Sequence, residues 1–232
     1  MSTFSVVATP IGNMEDITLR ALKVLAGVDF ILCEDTRTTK VLLNKHLIKT
    51  PTLSYHAHSL DSRIEKVISL LKEGKNIALV SDAGTPAISD PGMELIARIR
   101  ESLKEEIISG EIKIDAIPGP SALTAALSIA GVPCADFVFL GFLPHKKGRE
   151  TLMKEIAKAE RTMVFYESPH RIMKTLNSLV EHLKELPKKV SVCRELTKIF
   201  EEVVAGSPEE VKNYFEKHPD RVRGEFVVIV SN

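Results

Sequence analysis

The amino-acid sequence predicts an α/β protein made of two αβα domains with mixed, parallel-rich sheets. Short apolar segments rich in β-branched residues alternate with segments of helical periodicity along all 232 residues, and this alternation is typical of βαβ units. A Pro-Gly-Pro triplet at 118–120 interrupts the pattern, because neither a helix interior nor a central strand accommodates it. We therefore predict one domain over residues 1–117 and a second over residues 118–232.

The first domain is predicted to contain buried strands, which are brief and apolar, at 4–8, 28–33, 77–80 and 112–117. Between the second and third of these, apolar residues recur at helical spacing from Leu60 to Leu71. Ser59 is a plausible N-cap of this helix and Gly74 a plausible stop. Strands joined by helices in this way pair in parallel.

The second domain is predicted to be a mixed sheet. Its predicted strands lie at 137–140, 162–166, 189–193, 201–205 and 226–230, and its helices at 122–130, 149–159, 169–186 and 208–217. The strands after residue 187 follow one another closely, which favours antiparallel neighbours.

Composition excludes several classes of protein. Lys plus Arg and Asp plus Glu each number 31, so the formal net charge is zero. A nucleic acid would therefore have to be bound by a local basic surface or by its shape, because the protein has no overall positive charge. Three separated cysteines without a CxxC pair argue against disulfides and a zinc site. The first residues lack a signal-peptide pattern and no apolar run is long enough for a membrane span. We expect a cytoplasmic protein without a metal or a membrane partner.

Loops rich in Gly, Pro and small polar residues follow the predicted strands at 8–13, 81–92, 118–122 and 166–171. Ligands of open α/β sheets bind at this edge, outside the carboxyl ends of the strands. The loop at 81–92 is longer than a connection needs, which favours a binding loop over a structural Ω-loop. The loop at 8–13 lacks G-x-G-x-x-G, so a dinucleotide site of the Rossmann type does not fit, and by itself it is consistent with an ordinary βα turn.

These loops carry six motifs in one order: V-A-T-P-I-G-N (7–13), C-E-D-T-R (33–37), S-D-A-G-T-P-A-I-S-D-P-G (81–92), P-G-P-S-A (118–122), F-Y-E-S-P-H-R (165–171) and C-R-E-L-T-K (193–198). Together they resemble the ribosomal RNA small subunit methyltransferase I family, within the tetrapyrrole-methylase-like class of S-adenosylmethionine enzymes. The resemblance extends from the first predicted strand to the last.

The resemblance implies a homodimer of two-domain subunits that bind S-adenosylmethionine in a cleft between the domains. It implies methylation of a cytidine ribose 2′-hydroxyl in the decoding region of 16S ribosomal RNA, within the small ribosomal subunit. Carried over by motif, the cofactor-binding residues are Pro10, Ser81, Asp82, Ala83, Thr85, Ser121, Ala122, Glu167, Ala205 and Gly206.

A ribose hydroxyl is a weak nucleophile, so a proton acceptor and precise alignment are both needed. Candidate bases and orienting groups at the strand ends are Asp35, His56, Asp82, Glu167, His170 and Glu195, and candidate phosphate ligands are Arg37, Arg171 and Arg194. Of these we select Asp35, Arg37, His56, Glu167, Arg171 and Arg194 as catalytic residues. Simpler roles stay open: His56 and His58 could cap a turn, and Arg37 could pair with Glu34 or Asp35.

The densest basic cluster is Lys146, Lys147 and Arg149, in a predicted loop. It is either an RNA contact or an ordinary solvated charge run. Two other functions stay open at this point. One is methylation of a tetrapyrrole, which the polar strand ends disfavour; the other is a non-catalytic role in ribosome assembly.

Overall fold

The computed structural model describes residues 1–55 and 60–232 of the chain. These residues divide into two compact units, Met1–Ser121 and Ala122–Asn232. Among the described residues, no helix has the length and apolar character required to cross a membrane.

The described part of the first unit contains a parallel sheet covered by helices. Its strands are β1 (Ser2–Val7), β2 (Phe30–Cys33), β3 (Thr52–Ser54), β4 (Ile77–Leu79) and β5 (Ile112–Ile117), in the order β3-β2-β4-β1-β5. Its helices are α1 (Leu19–Gly27), α2 (Thr36–Lys45), α3 (Leu60–Lys72), α4 (Gly92–Ser102) and α5 (Lys104–Ile108). Every strand pair is parallel, so all carboxyl ends meet at one edge.

Both faces of this sheet are buried, as the continuous apolar strands predict. On β4, Ile77 and Leu79 pack with residues of α3 and α4, whereas Ala78 and the following Val80 pack with residues of α1 and α2. The side chains alternate because successive residues of a strand point to opposite faces. The first unit is therefore a three-layer αβα structure.

The second unit contains a mixed sheet. Its strands are β6 (Phe137–Phe142), β7 (Thr162–Glu167), β8 (Lys189–Arg194), β9 (Glu202–Gly206) and β10 (Phe226–Ser231), in the order β6-β7-β10-β8-β9. Only β6 and β7 pair in parallel; β10–β7, β10–β8 and β8–β9 are antiparallel. The helices of this unit are α6 (Ala122–Ile129), α7 (Arg149–Lys158), α8 (Ile172–Leu183) and α9 (Pro208–Lys217).

One apolar cluster joins this sheet to α7, α8 and α9. The stripe on α8 includes Leu176, Leu179 and Leu183, all buried in that cluster, as its helical spacing predicts. On α6, the Ala126 carbonyl lies 3.9 Å from the Sγ of Cys193 on β8. The predicted α/β class, with a parallel sheet followed by a mixed one, is confirmed.

Several element boundaries differ from the prediction for identifiable reasons. The helix predicted at 169–186 begins only at Ile172, because Ser168 to Arg171 form a hydrogen-bonded turn in which Arg171 N donates to Ser168 O. Strand β1 begins at Ser2, earlier than predicted, because Ser2 pairs with Ile112 of β5 and its N donates to Glu111 O at 2.9 Å. The predicted N-cap Ser59 lies outside the described residues.

Candidate active site

The loops that follow β1, β4 and β5 are held together at the carboxyl edge of the first sheet. Thr9 and Gly84 exchange two backbone hydrogen bonds of 2.9 and 3.0 Å, and the Thr85 hydroxyl donates to Pro120 O at 3.1 Å. A Cβ on Gly119 would lie 3.1 Å from the Cβ of Ala8. Small residues are therefore needed for the loops to approach, and the loops are ordered by their own contacts.

The long loop between β4 and α4 has a strained backbone. Ala87 and Ser89 adopt φ angles of 69° and 65°, in the left-handed region that non-glycine residues rarely occupy. Such residues each cost about 1–3 kcal/mol and cluster at functional sites. The Asp90 carboxylate accepts a 2.7 Å hydrogen bond from Gly92 N and so fixes the entry into α4.

A cavity of about 210 Å³ opens at this edge of the sheet. Its polar lining includes Ser81 and Asp82, and its other lining residues are Thr9, Pro10, Ile11, Gly12, Met14, Thr38, Thr39, Leu42, Val80 and Ala83. This volume is smaller than the roughly 300–1,000 Å³ of a complete site for a small molecule. The cavity can therefore hold only part of a small-molecule ligand. Four of the predicted cofactor residues, Pro10, Ser81, Asp82 and Ala83, thus share one cavity.

Asp35 and Arg37 form an ion pair on the first turn of α2. The Asp35 carboxylate accepts hydrogen bonds from Arg37 N at 2.8 Å and from Arg37 Nη2 at 2.7 Å. These side-chain and backbone hydrogen bonds lower the pKa of Asp35 to about 2, which makes it a weak proton acceptor near neutral pH. Of the two partners considered for Arg37, the structure shows Asp35. The Arg37 side chain is still 89% exposed.

Glu34, which was not among the predicted site residues, is the most perturbed carboxyl group at this edge among the described residues. Partial burial, followed by the nearby charges of Asp90 and Asp82, raises the pKa of Glu34 to about 7. The sequence had suggested this residue only as an ion-pair partner. Its position directly after β2, in the same motif as Asp35, was the available signal.

In the second unit, Glu167 lies in a buried polar network at the end of β7. Its carboxylate, fully buried, accepts hydrogen bonds from Thr175 Oγ1 at 2.7 Å and from Ser168 N and Arg171 Nε, both at 2.8 Å. Arg171 also donates to Leu143 O at 2.8 Å. The network therefore joins β7, α8 and the loop after β6.

The predicted RNA cluster is divided between two environments. Arg149 is 8% exposed, donates to Thr175 Oγ1 at 2.7 Å and lies 3.8 Å from the Glu167 carboxylate. Lys146 and Lys147 are exposed in the loop before α7. Only the two lysines therefore present their charges to the surface.

Arg194 belongs to a second buried network, at the end of β8. It donates to Phe200 O at 3.2 Å and to Glu202 Oε2 at 3.4 Å, and it is 3% exposed. Tyr214 and Arg221 also donate to the Glu202 carboxylate. Arg171 and Arg194 are therefore both engaged inside the second unit.

The other predicted residues are placed as follows. His170 and Ala205 are exposed, Gly206 ends β9, and Glu195 accepts from Lys198 Nζ at 2.9 Å. Ser121 ends the first unit and Ala122 begins α6. His56 lies outside the described residues. Within the described residues, no group of three or more His, Cys, Asp or Glu is arranged to hold a metal ion.

Comparison with known proteins shows similarity over the whole chain. A family model of the tetrapyrrole (corrin/porphyrin) methylases matches residues 3–212. The ribosomal RNA small subunit methyltransferase I of Thermotoga maritima is 46% identical over 231 residues, covering 100% of this chain and 99% of that protein. The Bacillus subtilis protein of the same name is 42% identical over 232 residues, covering 100% of this chain and 75% of its own.

Solved structures share the fold at low sequence identity. A cobalt precorrin-4 methyltransferase of cobalamin biosynthesis has a TM-score of 0.70 at 16% identity, covering 99% of this chain and 94% of that chain. A diphthine synthase has a TM-score of 0.69 at 14% identity, covering 100% and 90% respectively. At these identities the likeness concerns the fold alone.

Proposed function

This chain belongs to the tetrapyrrole (corrin/porphyrin) methylase family, in the group of ribosomal RNA small subunit methyltransferase I, and from that premise we propose that it is a cytoplasmic, S-adenosylmethionine-dependent methyltransferase of ribosomal RNA. The observation that carries the proposal is the 46% identity to the Thermotoga maritima protein of that name over 231 residues.

The cavity at the carboxyl edge of the first sheet is compatible with part of S-adenosylmethionine. Pro10 and Ala83 offer small apolar surfaces, and Asp82 offers a carboxylate for a positively charged ligand group. The Ser81 hydroxyl donates to Ala83 O and Gly84 O at 3.2 and 3.3 Å, so its role is to hold the loop's shape. When bound, S-adenosylmethionine supplies an electrophilic methyl group.

Within this function, we assign the ribose 2′-hydroxyl of a cytidine in the decoding region of 16S RNA as the acceptor. Charged groups suited to phosphates support an RNA substrate: Arg37 is largely exposed beside the cavity-lining Thr38, and Lys146 and Lys147 are exposed in the second unit. Guanidinium groups bind phosphate oxygens bidentately.

A labelling experiment tests the reaction. The protein is incubated with S-adenosylmethionine carrying a radioactive methyl group and with small ribosomal subunits, free 16S RNA or a tetrapyrrole precursor. We expect label in the RNA of the subunits. Label in the tetrapyrrole alone would identify the alternative enzyme, and cofactor binding without any transfer would identify an assembly factor.

Cofactor binding is tested separately from transfer. Ala83→Arg would fill part of the cavity, and isothermal titration calorimetry should then show at least tenfold weaker binding of S-adenosylmethionine. Ala26→Arg, at an exposed position on α1 outside the cavity lining, serves as the control for an added arginine. Normal binding by a folded Ala83→Arg variant would exclude this cavity as the cofactor site.

We also propose that the protein is a homodimer, as the family resemblance implies. Sedimentation velocity at micromolar concentration should then give about twice the 25.6 kDa of one chain. A single species at the chain mass would contradict the proposal.

A further inference from the structure

A β-bulge near the end of β6 places two phenylalanines against one tyrosine of the neighbouring strand. Phe139 is opposite Val164 of β7. Phe142, three residues further along β6, is opposite Tyr166, which is only two residues further along β7, so β6 contains one extra residue. Gly141 in this bulge has a φ angle of 63°, in the region that favours glycine. Because side chains alternate between the faces of a strand, the extra residue returns Phe142 to the face that carries Phe139.

The ring of Phe142 is supported by Tyr166 and is still accessible. The centroids of these two rings are 5.5 Å apart at an interplanar angle of 61°. Phe139 packs on the same tyrosine, with centroids 4.9 Å apart at 68°. Both contacts are edge-to-face, an arrangement that aromatic pairs favour. Phe142 is nevertheless 54% exposed, so its ring is held in place and is available for stacking on a flat ligand group.

The loop that follows Phe142 is cationic. Residues 143–148 are L-P-H-K-K-G, in which Lys146 and Lys147 are exposed and no carboxylate occurs. Four residues separate Phe142 from Lys146, which is a distance of at most about 14 Å along an extended chain. One short ligand segment that carries both flat rings and negative charges can therefore contact the ring and the lysines together.

Two buried arginines hold the start of this loop. Arg171 donates to Leu143 O at 2.8 Å, and Arg149 donates to Pro144 O at 3.4 Å. Both guanidinium groups lie beside the buried Glu167 carboxylate, at 2.8 and 3.8 Å respectively. The backbone between Phe142 and the lysines is therefore fixed by contacts within the second unit, which lowers the entropy cost of binding a ligand there.

We propose that Phe142, Lys146 and Lys147 form a binding surface for single-stranded RNA, an inference that takes its RNA substrate from the proposed function. The Phe142 ring stacks on a base, and the two ammonium groups pair with phosphates of neighbouring nucleotides. Stacking on an aromatic ring does not require a particular base. This surface therefore positions the RNA strand and does not select its sequence.

The charge beside the ring favours RNA over an apolar protein surface, including that of a second copy of this chain. An apolar interface would remove Lys146 and Lys147 from water without giving them anionic partners, which costs free energy. Lysine is also depleted from protein–protein interfaces, whereas aromatic residues are enriched there. Phosphates flanking a stacked base supply the missing negative charge.

Substitution of Phe142 tests the stacking contact. Phe142→Leu keeps an apolar side chain for packing and removes the aromatic face, so a single-stranded oligouridylate of about twelve nucleotides should bind roughly 5- to 150-fold more weakly. Phe142→Trp should bind at least as tightly as the wild type. Phe137→Leu, at the other end of β6 and 36% exposed, is the matched control and should bind normally. Fluorescence anisotropy at low salt measures all four affinities. Wild-type affinity in a folded Phe142→Leu variant would overturn the proposal.

Two further measurements separate this surface from other roles of the ring. Calorimetry should give the same S-adenosylmethionine affinity for Phe142→Leu and the wild type. Weaker cofactor binding with unchanged RNA binding would assign the ring to the cofactor and overturn the proposal. A change in sedimentation with unchanged RNA binding would assign the ring to self-association, with the same consequence.

RNA binding is measured without methyl transfer, so the surface and the proposed function fail separately. If the wild type transfers no methyl group to small subunits, the proposed function fails, but a loss of oligouridylate binding in Phe142→Leu still supports the surface. If the wild type methylates subunits and Phe142→Leu binds RNA normally, the surface alone is contradicted.

Discussion

The carboxylate of Asp82 accepts a 3.1 Å hydrogen bond from the backbone N–H of Asp35. This contact joins the loop after β4, which lines the cavity, to the start of α2, which lies between Glu34 and Arg37. Asp82 also adds negative charge beside Glu34. It therefore couples the geometry of this edge of the sheet to the protonation of Glu34.

The two roles of Asp82 are separable by substitution. Asp82→Asn keeps an oxygen acceptor but removes the charge, so the titration midpoint of Glu34 should fall while unfolding stability stays nearly unchanged. Asp82→Ala removes both the charge and the hydrogen-bond acceptor, so it should also lower the free energy of unfolding by about 1 kcal/mol. Urea unfolding and carboxyl NMR measure the two effects. An unchanged Glu34 midpoint in Asp82→Asn would show that the charge of Asp82 has no influence.

Glu34 should make the folded protein less stable as pH rises. Its pKa is raised from 4.5 to about 7 on folding, so the folded state holds the proton more tightly than the unfolded state. The associated stability is present below about pH 4.5 and is lost as pH rises to about 7. Glu34→Gln should therefore unfold at a higher urea concentration than the wild type at pH 8.

Loss of an exposed carboxylate provides the control for Glu34→Gln. Glu101→Gln, which removes an exposed carboxylate from the same unit, should leave the urea midpoint at pH 8 unchanged. If Glu34→Gln were equally neutral at pH 8, Glu34 would not be destabilised in its charged form.

The three predicted catalytic arginines should separate into two groups. Arg37 is exposed, and loss of a surface ion pair costs about 0–1 kcal/mol, so Arg37→Ala should fold normally. If Arg37 positions a phosphate, single-turnover transfer should fall roughly 10²-fold. Arg171→Ala and Arg194→Ala instead each remove a buried cationic partner of Glu167 or Glu202. Because each carboxylate keeps other donors, the cost in unfolding stability should be at most roughly 3–5 kcal/mol.

Chemical denaturation and single-turnover assays on the same three variants decide between these roles. Lys23→Ala on α1 is a control for loss of a surface cation. Arg37→Ala with a normal rate would contradict a phosphate-positioning role. A folded Arg171→Ala variant of wild-type stability would show that its buried ion pair with Glu167 is not structural.

The two exposed lysines of the loop before α7, Lys146 and Lys147, should contribute to RNA affinity through counterion release. Replacing Lys146 and Lys147 with Ala should lower the slope of log affinity against log salt by roughly two units, about one for each phosphate contact. The double variant Lys66→Ala, Lys104→Ala, on α3 and α5, is the matched control. Equal slopes in the two double variants would show that Lys146 and Lys147 are ordinary solvated surface residues and do not contact RNA phosphates. Arg149 is excluded from the test because its substitution would disturb the buried network.

Apolar patterning was sufficient to predict the buried strands and the helices of the second unit, because burial of the sheet faces leaves a direct record in the sequence. It did not predict β3, whose three residues are only half-buried, or α1, α2, α4 and α5 of the first unit. The environments of charged residues were not predictable. Glu167 looked like an accessible group at a strand end, but its partners Thr175 and Arg149 come from two separate helices. The pKa of Glu34 is raised by burial and then by the charges of Asp90 and Asp82, which are distant in sequence. Only the fold brings such groups together.

The position of the transferred methyl group tests the central claim most directly. A ribose 2′-hydroxyl is needed for alkaline cleavage of the following phosphodiester bond, so methylation there leaves a labelled, alkali-resistant dinucleotide. We predict that small subunits labelled by this protein yield such a dinucleotide, with 2′-O-methylcytidine as the labelled nucleoside. Label on a base, in mononucleotides released by alkali, or absence of label from the RNA, would contradict the account.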